Sequence, residues 1–399
     1  MKYAIVILDG ASGNPLECYG GLTTLEAAHT PHLDALAAAG AVGLARNVPE
    51  GMEPSSNVAC TSIAGYHPAQ YPIGRGALES AALGIELGPN DVAMRLNLTN
   101  VSPSGIMVSY STDNISGDDA HALASELAAA LDNSTFKLYQ GTGFRQYLVV
   151  TGHPGLMQST FPAAHNMTDE PVANHPATGP EVQLIHDYEE RARAVLAASP
   201  TNARRIAAGK LPATNALAFW PGQRPANMQP FASLYHKQAA MLSGVDLLNG
   251  IAQLAGIRRY HFEGVTDGPD NNYAAQGGGA LAMLAENDVA FIHVESPDAE
   301  GHDGNAAGKL AAVEAIDREV VSRLAAYAAN PATPPLRILA LPDHPTPVAT
   351  KRHTAAPVPF VLAGLGIAPN PGTRLTENEA QSTGLMVDPG SALMGMLLG

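Results

Sequence analysis

The amino-acid sequence predicts an α/β protein in which a doubly wound, mostly parallel sheet is interrupted by an inserted α+β domain. Three mostly apolar runs, at residues 3–8, 289–294 and 336–341, have the length and continuity of parallel strands that are buried on both faces. Each run leads into an aspartate at or just past its end. The chain of 399 residues also exceeds the ~250–300 residues that one hydrophobic core usually holds, so two domains are expected.

The composition is that of a globular, loop-rich protein and argues against several classes of partner. Hydrophobic residues make up 46% of the chain and charged residues 15%, with 39 glycines and 31 prolines. The net charge of −15 disfavours nucleic acid and anionic membranes as partners, because both attract basic patches. Only two cysteines occur, so no disulfide framework is expected. No stretch resembles a signal peptide or a membrane span, so the sequence predicts a soluble, cytoplasmic protein.

The first predicted strand, residues 3–8, ends at Asp9 and is followed by the segment EGMEPSSNVACTSIAGYHP. Either Ser55 or Ser56 can cap a short helix that ends at Gly65. A serine there is most often only a cap. Because a helix N-terminus stabilises anions and a divalent cation acidifies a neighbouring hydroxyl, one of these serines is also a candidate nucleophile.

The middle of the chain, from about residue 76 to about residue 240, is predicted to be the inserted α+β domain. It holds strand candidates such as DVAMRLNLTNV, GIMVSYS, KLYQGTGFRQYLVVTG and ATNALAFWPG, and helical segments at 117–131 and 184–199. Residues 1–75 and 241–399 then form the outer domain, which contains the three apolar strands.

The segment VAFIHVESPDAEGHDG, residues 289–304, places much charge directly after a predicted strand. Asp298 and His302 are four positions apart, which puts both side chains on one face of a helical turn. A carboxylate and an imidazole on one face suit a transition-metal ion, although such a pair alone is a common accident. Apolar residues at helical spacing follow, up to the strand at 336–341, and this βαβ-like order keeps the sheet parallel.

Further potential ligands follow the later strands. Asp343 and His344 come just after the strand at 336–341, and His353 precedes another apolar run. Because ligand sites in open parallel sheets gather beyond the carboxyl ends of the strands, we expect the three strand-ending aspartates to meet at one edge. Together with the histidines they supply more acceptors than helix capping requires, so the sequence predicts a metal centre at this edge.

The ordered motifs LDG, PSSNVACTSIAGY, HVESPDAEGHDG, LPDHPTP and RHTAAPVPF resemble those of the archaeal-type cofactor-independent phosphoglycerate mutases of the alkaline phosphatase superfamily. The likeness runs over nearly the whole chain and implies an alkaline-phosphatase-like fold, a nucleophilic Ser56 and two divalent metal ions. Mixed aspartate and histidine ligation favours manganese or zinc over magnesium, with manganese first and cobalt also compatible. By motif, one ion would be held by Asp9, Ser56, Asp343 and His344, and the other by Asp298, His302 and His353.

The sequence departs from the family pattern at three positions. Asn57 stands where an acidic residue is usual, Cys60 where histidine or asparagine is common, and Ala356 where aspartate is common. None of the implied metal ligands is lost. We expect Cys60 to be a small buried residue without a catalytic role.

The resemblance implies that the serine takes the phosphoryl group of 3-phosphoglycerate and returns it to the 2-hydroxyl, without 2,3-bisphosphoglycerate. Such a phosphorylated small acid requires guanidinium groups, which bind phosphate and carboxylate bidentately. The outer domain would then supply the metals and the inserted domain the substrate-binding face. The candidate arginines in or beside the inserted domain are Arg75, Arg95, Arg145, Arg204, Arg205 and Arg224.

Three alternative functions stay open at this point. The segment GIMVSYSTDNIS resembles a bacterial subgroup proposed to act as homoserine kinases, although the chain has no Walker-type or kinase glycine-rich loop. A metal-dependent phosphatase on the same scaffold fits the long insert less well. A non-catalytic binding module would ordinarily have lost some of the metal ligands. The sequence also leaves open the oligomeric state and the group that shuttles protons to the glycerate oxygens.

Overall fold

The computed structural model of the chain describes residues 1–115 and 117–399, which form two compact units. The first unit joins Met1–Pro72 to Asn227–Gly399, and the inserted unit comprises Ile73–Ala226. The first unit resumes at residue 227, whereas the sequence predicted that it resumes at residue 241. The difference arises because the segment after residue 227 packs on the first unit. In that segment the Phe231 ring lies 5.8 Å from the Phe291 ring, centroid to centroid.

The secondary structure alternates between strands and helices over most of the described chain. The strands are β1 (Lys2–Leu8), β2 (Ala41–Ala45), β3 (Asp91–Val101), β4 (Met107–Ser109), β5 (Phe136–Tyr139), β6 (Arg145–Thr151), β7 (Asn215–Gly222), β8 (Ala239–Leu242), β9 (Arg258–Tyr260), β10 (Val289–Val294), β11 (Leu336–Leu341), β12 (Val358–Gly364) and β13 (Met386–Val387). The α-helices are α1 (Thr24–Ala27), α2 (Pro31–Ala39), α3 (Ser56–Ile63), α4 (Arg75–Ala82), α5 (Gly117–Leu131), α6 (Val182–Ala197), α7 (Pro200–Ala207), α8 (Phe231–Tyr235), α9 (Asp246–Leu254), α10 (Tyr273–Glu286), α11 (Ser296–Asp303), α12 (Ala306–Ile316), α13 (Ser322–Ala329), α14 (Glu377–Ser382) and α15 (Leu393–Leu398).

The first unit is built on an eight-stranded sheet of order β13-β2-β12-β11-β1-β10-β8-β9. At its centre, Val6 of β1 pairs in parallel with Ile292 of β10 on one side and with Ala340 of β11 on the other. Strands β8, β9 and β13 also join their neighbours in parallel, whereas β12 runs antiparallel to β11 and β2. The predicted doubly wound, mostly parallel sheet is confirmed.

The central strands are buried on both faces, as their continuous apolar sequences require. Val6 and Leu8 pack in a core with residues of α10, α12 and α13, and Ile5 and Ile7, which point to the opposite face, are equally buried. The predicted helix between β10 and β11 is observed as α12 and α13, joined by a π-helical turn at Asp317–Val321.

The inserted unit is an α+β module with its own core. Its central strand β3 pairs antiparallel with β6, β7 and β4, and β5 pairs with β6. Helices α5 and α6, close to the helical segments predicted at 117–131 and 184–199, cover one face of this sheet. The unit also contains helices α4 and α7, and α7 begins with the start signal Ser199-Pro200.

Among the described residues, no helix is both long enough and apolar enough to cross a lipid bilayer.

Candidate metal centre and active site

The parallel arrangement of β1, β10 and β11 brings their carboxyl ends to one edge of the sheet, where Asp9, Asp298 and Asp343 converge. Gly10 makes this convergence possible. Its φ is +60°, and a Cβ atom there would collide with the Asp298 carboxylate. Its backbone N–H donates to Asp343 Oδ1 at 3.0 Å. The turn after β1 is therefore part of the site and has room only for glycine.

One group of potential ligands consists of Asp9, Asp343 and His344, each of which offers an atom within 4.8 Å of the others. His344 Nε2 lies 3.2 Å from Asp343 Oδ2 and 3.8 Å from Asp9 Oδ1. Asp343 Oδ1 accepts hydrogen bonds from two backbone N–H groups, those of Gly10 and His344. These bonds leave its Oδ2 atom as the one available to a cation. All three ligand side chains are buried.

Ser56 joins this group through its hydroxyl, whose Oγ lies 3.2 Å from His344 Nε2. It is the first residue of α3, and the preceding Ser55 has the extended backbone of an N-cap residue, with φ −163° and ψ 152°. The Ser55 hydroxyl makes no capping hydrogen bond and instead donates to the Glu53 carbonyl at 3.4 Å. The two neighbouring serines therefore differ clearly: Ser56 faces the acidic edge and Ser55 does not contact it.

A second group consists of Asp298, His302 and His353. His302 Nε2 lies 3.1 Å from Asp298 Oδ2, His353 Nε2 lies 3.3 Å from Asp298 Oδ1, and the two Nε2 atoms are 2.8 Å apart. These three side chains lie close enough together to hold a single ion, with small shifts to the roughly 3.4 Å between ligand atoms that bonds of about 2.1 Å require. His344 borders this group too, because its ring centroid lies 3.9 Å from that of His353.

The electrostatics of the edge show that its carboxylates lack positive partners. Asp9 Oδ1 and Glu295 Oε2 are buried and make no hydrogen bond. Burial, with the charges of Asp343 and Asp298 adding to it, raises the pKa of Asp9 well above its usual range. Burial, with the charge of Asp9 adding to it, likewise raises the pKa of Glu295. Orphaned carboxylate oxygens beside imidazole nitrogens form a donor set that fits divalent cations.

In the second group the histidines partly supply the missing charge. Burial would raise the pKa of Asp298, but hydrogen bonds from His302 and His353 lower it far below its usual range. The hydrogen bond to Asp298 raises the pKa of His302 to about 9. Both pKa shifts arise from the same ion pair between Asp298 and His302. A bound metal ion would take the place of the proton on the imidazole and so replace this ion pair.

Several residues of the centre escape prediction from the sequence. His293, Glu295 and Cys60 all contact its ligands, and Cys60 lies 3.8 Å from Asp343 Oδ2 with a pKa raised by burial. The thiol is buried, as expected, but it lies at the edge of the centre. The fully buried Lys309 ammonium donates to the carbonyls of Ser12 and Thr346, and so ties the loop after β1 to the loop after β11.

In the inserted unit, two of the six predicted arginines come together on one carboxylate. Arg95 makes two contacts with Glu79, of 2.7 and 2.6 Å, and Arg75 Nε lies 2.9 Å from Glu79 Oε1. The Arg75 guanidinium also stacks 3.8 Å from the centroid of the Trp220 ring. Glu79 is buried, whereas Arg75 remains 43% exposed and can meet a ligand.

A row of aromatic rings extends from this pair to a third arginine. Trp220 and Phe219 contact each other and His165, His165 contacts Tyr110, and Tyr110 contacts Phe144. The ring centroids in these contacts are 4.8–6.2 Å apart. The Arg145 guanidinium lies 5.0 Å from the Phe144 ring. Burial and the charges of Arg75 and Arg95 lower the pKa of His165, so that this imidazole is neutral beside two cations. Neither Glu79 nor the aromatic row has a sequence signature of its own.

The other three arginines do not share the Glu79 carboxylate. Arg205 is buried and holds Asp119 Oδ2 at 2.8 Å and the Leu211 carbonyl, so its contacts are structural. Arg204 is exposed on α7 and donates to the Thr201 hydroxyl, and Arg224 is exposed. A cavity of about 730 Å³ in the inserted unit is lined by Arg193 and by none of the six predicted arginines.

Comparison with known proteins supports one family consistently. The family model described as 2,3-bisphosphoglycerate-independent phosphoglycerate mutase matches residues 37–202. A relative from Geobacter sulfurreducens, named a probable 2,3-bisphosphoglycerate-independent phosphoglycerate mutase, is 38% identical over 100% of both chains. A relative from Methanosarcina mazei, named as the same mutase, is 37% identical over 100% of both chains.

Solved structures agree with this assignment at the level of the fold. The PH0037 protein from Pyrococcus horikoshii has a TM-score of 0.82 and 26% identity, covering 100% of this chain and 96% of its own. The cofactor-independent phosphoglycerate mutase from Thermoplasma acidophilum has a TM-score of 0.69 and 22% identity, covering 100% of both chains. Because the relatives that are 37–38% identical match this chain from end to end, the chain belongs to the 2,3-bisphosphoglycerate-independent phosphoglycerate mutase family.

Proposed function

We propose that this protein interconverts 3-phosphoglycerate and 2-phosphoglycerate through a phosphoserine at Ser56, without 2,3-bisphosphoglycerate. The observation that carries the proposal is the Ser56 hydroxyl, which lies 3.2 Å from His344 Nε2 at the edge of a buried group of carboxylates and imidazoles. The names of the full-length relatives support the same reaction. The reaction belongs to glycolysis, and we place the protein in the cytoplasm on that ground.

Two divalent ions, manganese by preference, would be held by the ligands that the sequence motifs imply. Asp9, Ser56, Asp343 and His344 would hold one, and Asp298, His302 and His353 the other. Ions bound there would acidify the serine hydroxyl and neutralise the oxygens of the transferring phosphoryl group. The orphaned Asp9 Oδ1 atom and the close Asp298, His302 and His353 atoms support this assignment.

The chain's own groups would act as follows. The Ser56 hydroxyl loses its proton and its oxygen bonds to phosphorus while the bond from phosphorus to the 3-oxygen breaks, and the 3-oxygen takes up a proton. Backbone N–H groups in the first turn of α3 favour the negative charge of the phosphoserine. The 2-hydroxyl then loses its proton as its oxygen attacks phosphorus, and Ser56 is regenerated. The net result moves the phosphoryl group from one oxygen of glycerate to its neighbour.

Substrate recognition is assigned to Arg75 first and to Arg145 next, because both side chains are exposed. Guanidinium groups bind carboxylate and phosphate bidentately, and a net charge of −15 makes a local cluster of arginines necessary for an anionic substrate. Glu79 and Trp220 fix the Arg75 side chain before a ligand arrives, which lowers the entropy lost on binding. Arg95 is buried against the same Glu79 carboxylate and supports this arrangement from behind. Arg204 and Arg224, which are exposed and are not held by Glu79, are weaker candidates.

The test is an enolase-coupled assay of the metal-loaded full chain with 3-phosphoglycerate and no bisphosphoglycerate. We expect turnover that is lost on chelation and restored by manganese. The reverse reaction from 2-phosphoglycerate must run through the same serine. Formation of phosphohomoserine from ATP and homoserine without mutase activity, or release of inorganic phosphate at the rate of substrate loss, would contradict the proposal.

A further inference from the structure

His293, the fifth residue of β10, lies fully buried between the centre and the neighbouring strand β8. Its Nε2 atom is 2.6 Å from Asp9 Oδ2, and its Nδ1 atom is 3.0 Å from the hydroxyl of Ser243. Ser243 Oγ also accepts the backbone N–H of Val245 at 3.0 Å. Hydroxyl, imidazole and carboxylate thus form one continuous buried chain.

The hydrogen-bond donors in this chain can be assigned. A metal-bound Asp9 carboxylate is ionised and only accepts, so in that state Nε2 carries the proton at 2.6 Å from its oxygen. A neutral imidazole with its proton on Nε2 has a bare Nδ1 that can only accept, so the Ser243 hydroxyl donates to Nδ1 while its oxygen accepts from Val245. The hydrogen bonds therefore run from Ser243 to His293 and from His293 to Asp9.

This direction determines which Asp9 oxygen is available. Oδ2 is taken by His293, whereas Oδ1 is buried and has no hydrogen-bond partner. The 2.6 Å separation of Nε2 from Oδ2 is a hydrogen-bond distance. With Nδ1 bonded to Ser243, both ring nitrogens of His293 are engaged and neither is free for an ion.

We infer that His293 is a positioning residue, which donates from Nε2 to Asp9 and thereby presents Oδ1 as the only metal-binding atom of that carboxylate. Asp343 shows the same pattern, since two backbone N–H groups occupy its Oδ1 atom and leave Oδ2. The inference rests on the proposed metal centre. It adds a side chain that holds one ligand in place without contacting an ion.

Two substitutions separate the positions of the two ring nitrogens. The amide nitrogen of His293→Gln reaches the place of Nε2 and keeps a donor for Asp9, whereas that of His293→Asn reaches only the place of Nδ1. We expect His293→Asn to weaken Mn²⁺ binding at one of two sites by about 10- to 100-fold, and His293→Gln to stay within a few-fold of the unsubstituted protein. Calorimetric titration of the chelated full chain with Mn²⁺ alone measures this without turnover.

The matched control is His153, whose Nδ1 atom lies 2.7 Å from Glu181 in the inserted unit. His153→Asn and His153→Gln should leave Mn²⁺ binding unchanged. Activity gives a second readout: His293→Asn should require more Mn²⁺ for half-maximal activity but keep its kcat at saturating Mn²⁺. Equal losses in both His293 variants, no loss in either, or loss of a third bound ion would overturn the inference. An unsubstituted protein that binds no Mn²⁺ would instead refute the proposed metal centre itself.

A measurement on the unsubstituted protein covers the case in which His293→Asn does not fold. Nitrogen NMR of the histidine-labelled protein loaded with diamagnetic Zn²⁺, which keeps Asp9 ionised, should show a protonated Nε2 and a bare Nδ1 for His293, identified by its absence from the spectrum of His293→Gln. A protonated Nδ1 with a bare Nε2 would reverse the donor direction and overturn the inference.

Discussion

Two adjacent serines make the clearest distinction at the scale of single residues. Ser56 places its hydroxyl 3.2 Å from His344, whereas the Ser55 hydroxyl bonds to a carbonyl and does not cap α3. We expect Ser56→Ala to abolish turnover, because no other hydroxyl lies at that point. Ser55→Ala should keep most of the activity and cost less than the ~1 kcal/mol typical of a lost helix cap.

Quenching the reaction in the cold and sequencing the modified peptide would locate the phosphoryl group. The expected product is a phosphopeptide with the modification on Ser56. Phosphate on Ser55, Thr61 or Ser62, or an active Ser56→Ala protein, would show that the nucleophile has been placed wrongly.

Glu79 is the residue that holds Arg75, the first candidate for substrate binding, and Arg95. It is almost fully buried and holds Arg95, which is 8% exposed, through two short contacts. Glu79→Gln would leave the Arg95 charge buried without a counter-ion, which costs about 3–5 kcal/mol. We expect a lower unfolding midpoint in urea and a higher KM for 3-phosphoglycerate.

The control for this prediction is Glu190→Gln, which removes an exposed ion pair with Arg193 from the same unit. Glu190→Gln should lower the free energy of unfolding by less than about 1 kcal/mol and should leave the KM for 3-phosphoglycerate unchanged. Glu79→Asp keeps the negative charge, so its stability should lie between those of Glu79→Gln and Glu190→Gln. A Glu79→Gln protein as stable as Glu190→Gln would contradict the structural role.

At the scale of elements, α11 presents two ligands of one predicted ion. Asp298 and His302 lie one turn apart, and α11 ends at Gly304 with φ +76°. We expect Asp298→Ala and His302→Ala to lower the bound metal from two ions toward one per chain by elemental analysis. His302→Ala should do so with little loss of stability, since that side chain is 42% exposed. Two ions at full occupancy in both variants would refute the ligand assignment.

The contact between α6 and β7 predicts a pH dependence. Burial raises the pKa of Glu189 to about 8, and its carboxylate accepts the Ala218 N–H at 2.8 Å. A carboxyl with a raised pKa binds its proton more tightly in the folded state. Its contribution to stability is therefore full below pH ~4.5 and is lost as the pH rises through about 8.

Glu189→Gln keeps the acceptor for Ala218 and removes the charge. We therefore expect the variant to be more stable than the unsubstituted protein at pH 9 and similar to it at pH 5. Trp220, the chain's one tryptophan, lies in the inserted unit and reports its unfolding by fluorescence. An unchanged pH profile in Glu189→Gln would show that Glu189 is not the titrating group.

At the scale of the whole molecule, the two units have separate cores, and the proposed metal ligands all lie in the first. An ion that binds only the folded state stabilises it by about 4 kcal/mol at 1,000 times its Kd. Chelation should therefore lower the calorimetric transition of the first unit. The Trp220 transition of the inserted unit should move less. A first-unit transition that does not respond to chelation would contradict the location of the ions.

The three central strands of the sheet could be predicted from the sequence because they are buried on both faces and read as continuous apolar runs. The aspartates at the ends of β1 and β11, and Asp298 just beyond the end of β10, could be placed at one edge for the same reason, since parallel strands share the direction of their carboxyl ends. The boundary of the inserted unit at residue 227 could not be predicted from the sequence, because it depends on the packing of Phe231 against a distant strand.

The sequence by itself indicated the chemistry of the candidate centre, because the strand-ending aspartates and the histidines near them are local patterns. The family resemblance then singled out Ser56 and the two ligand sets. Only the tertiary structure decided the partners. Arg205 is tied to Asp119, far away along the chain, and so looks like a surface charge in the sequence. His293 is hidden within an apolar run, and its role depends on Asp9 of a neighbouring strand, 284 positions away. Hydrogen bonds and ion pairs between distant segments require register and packing, and no local pattern encodes these.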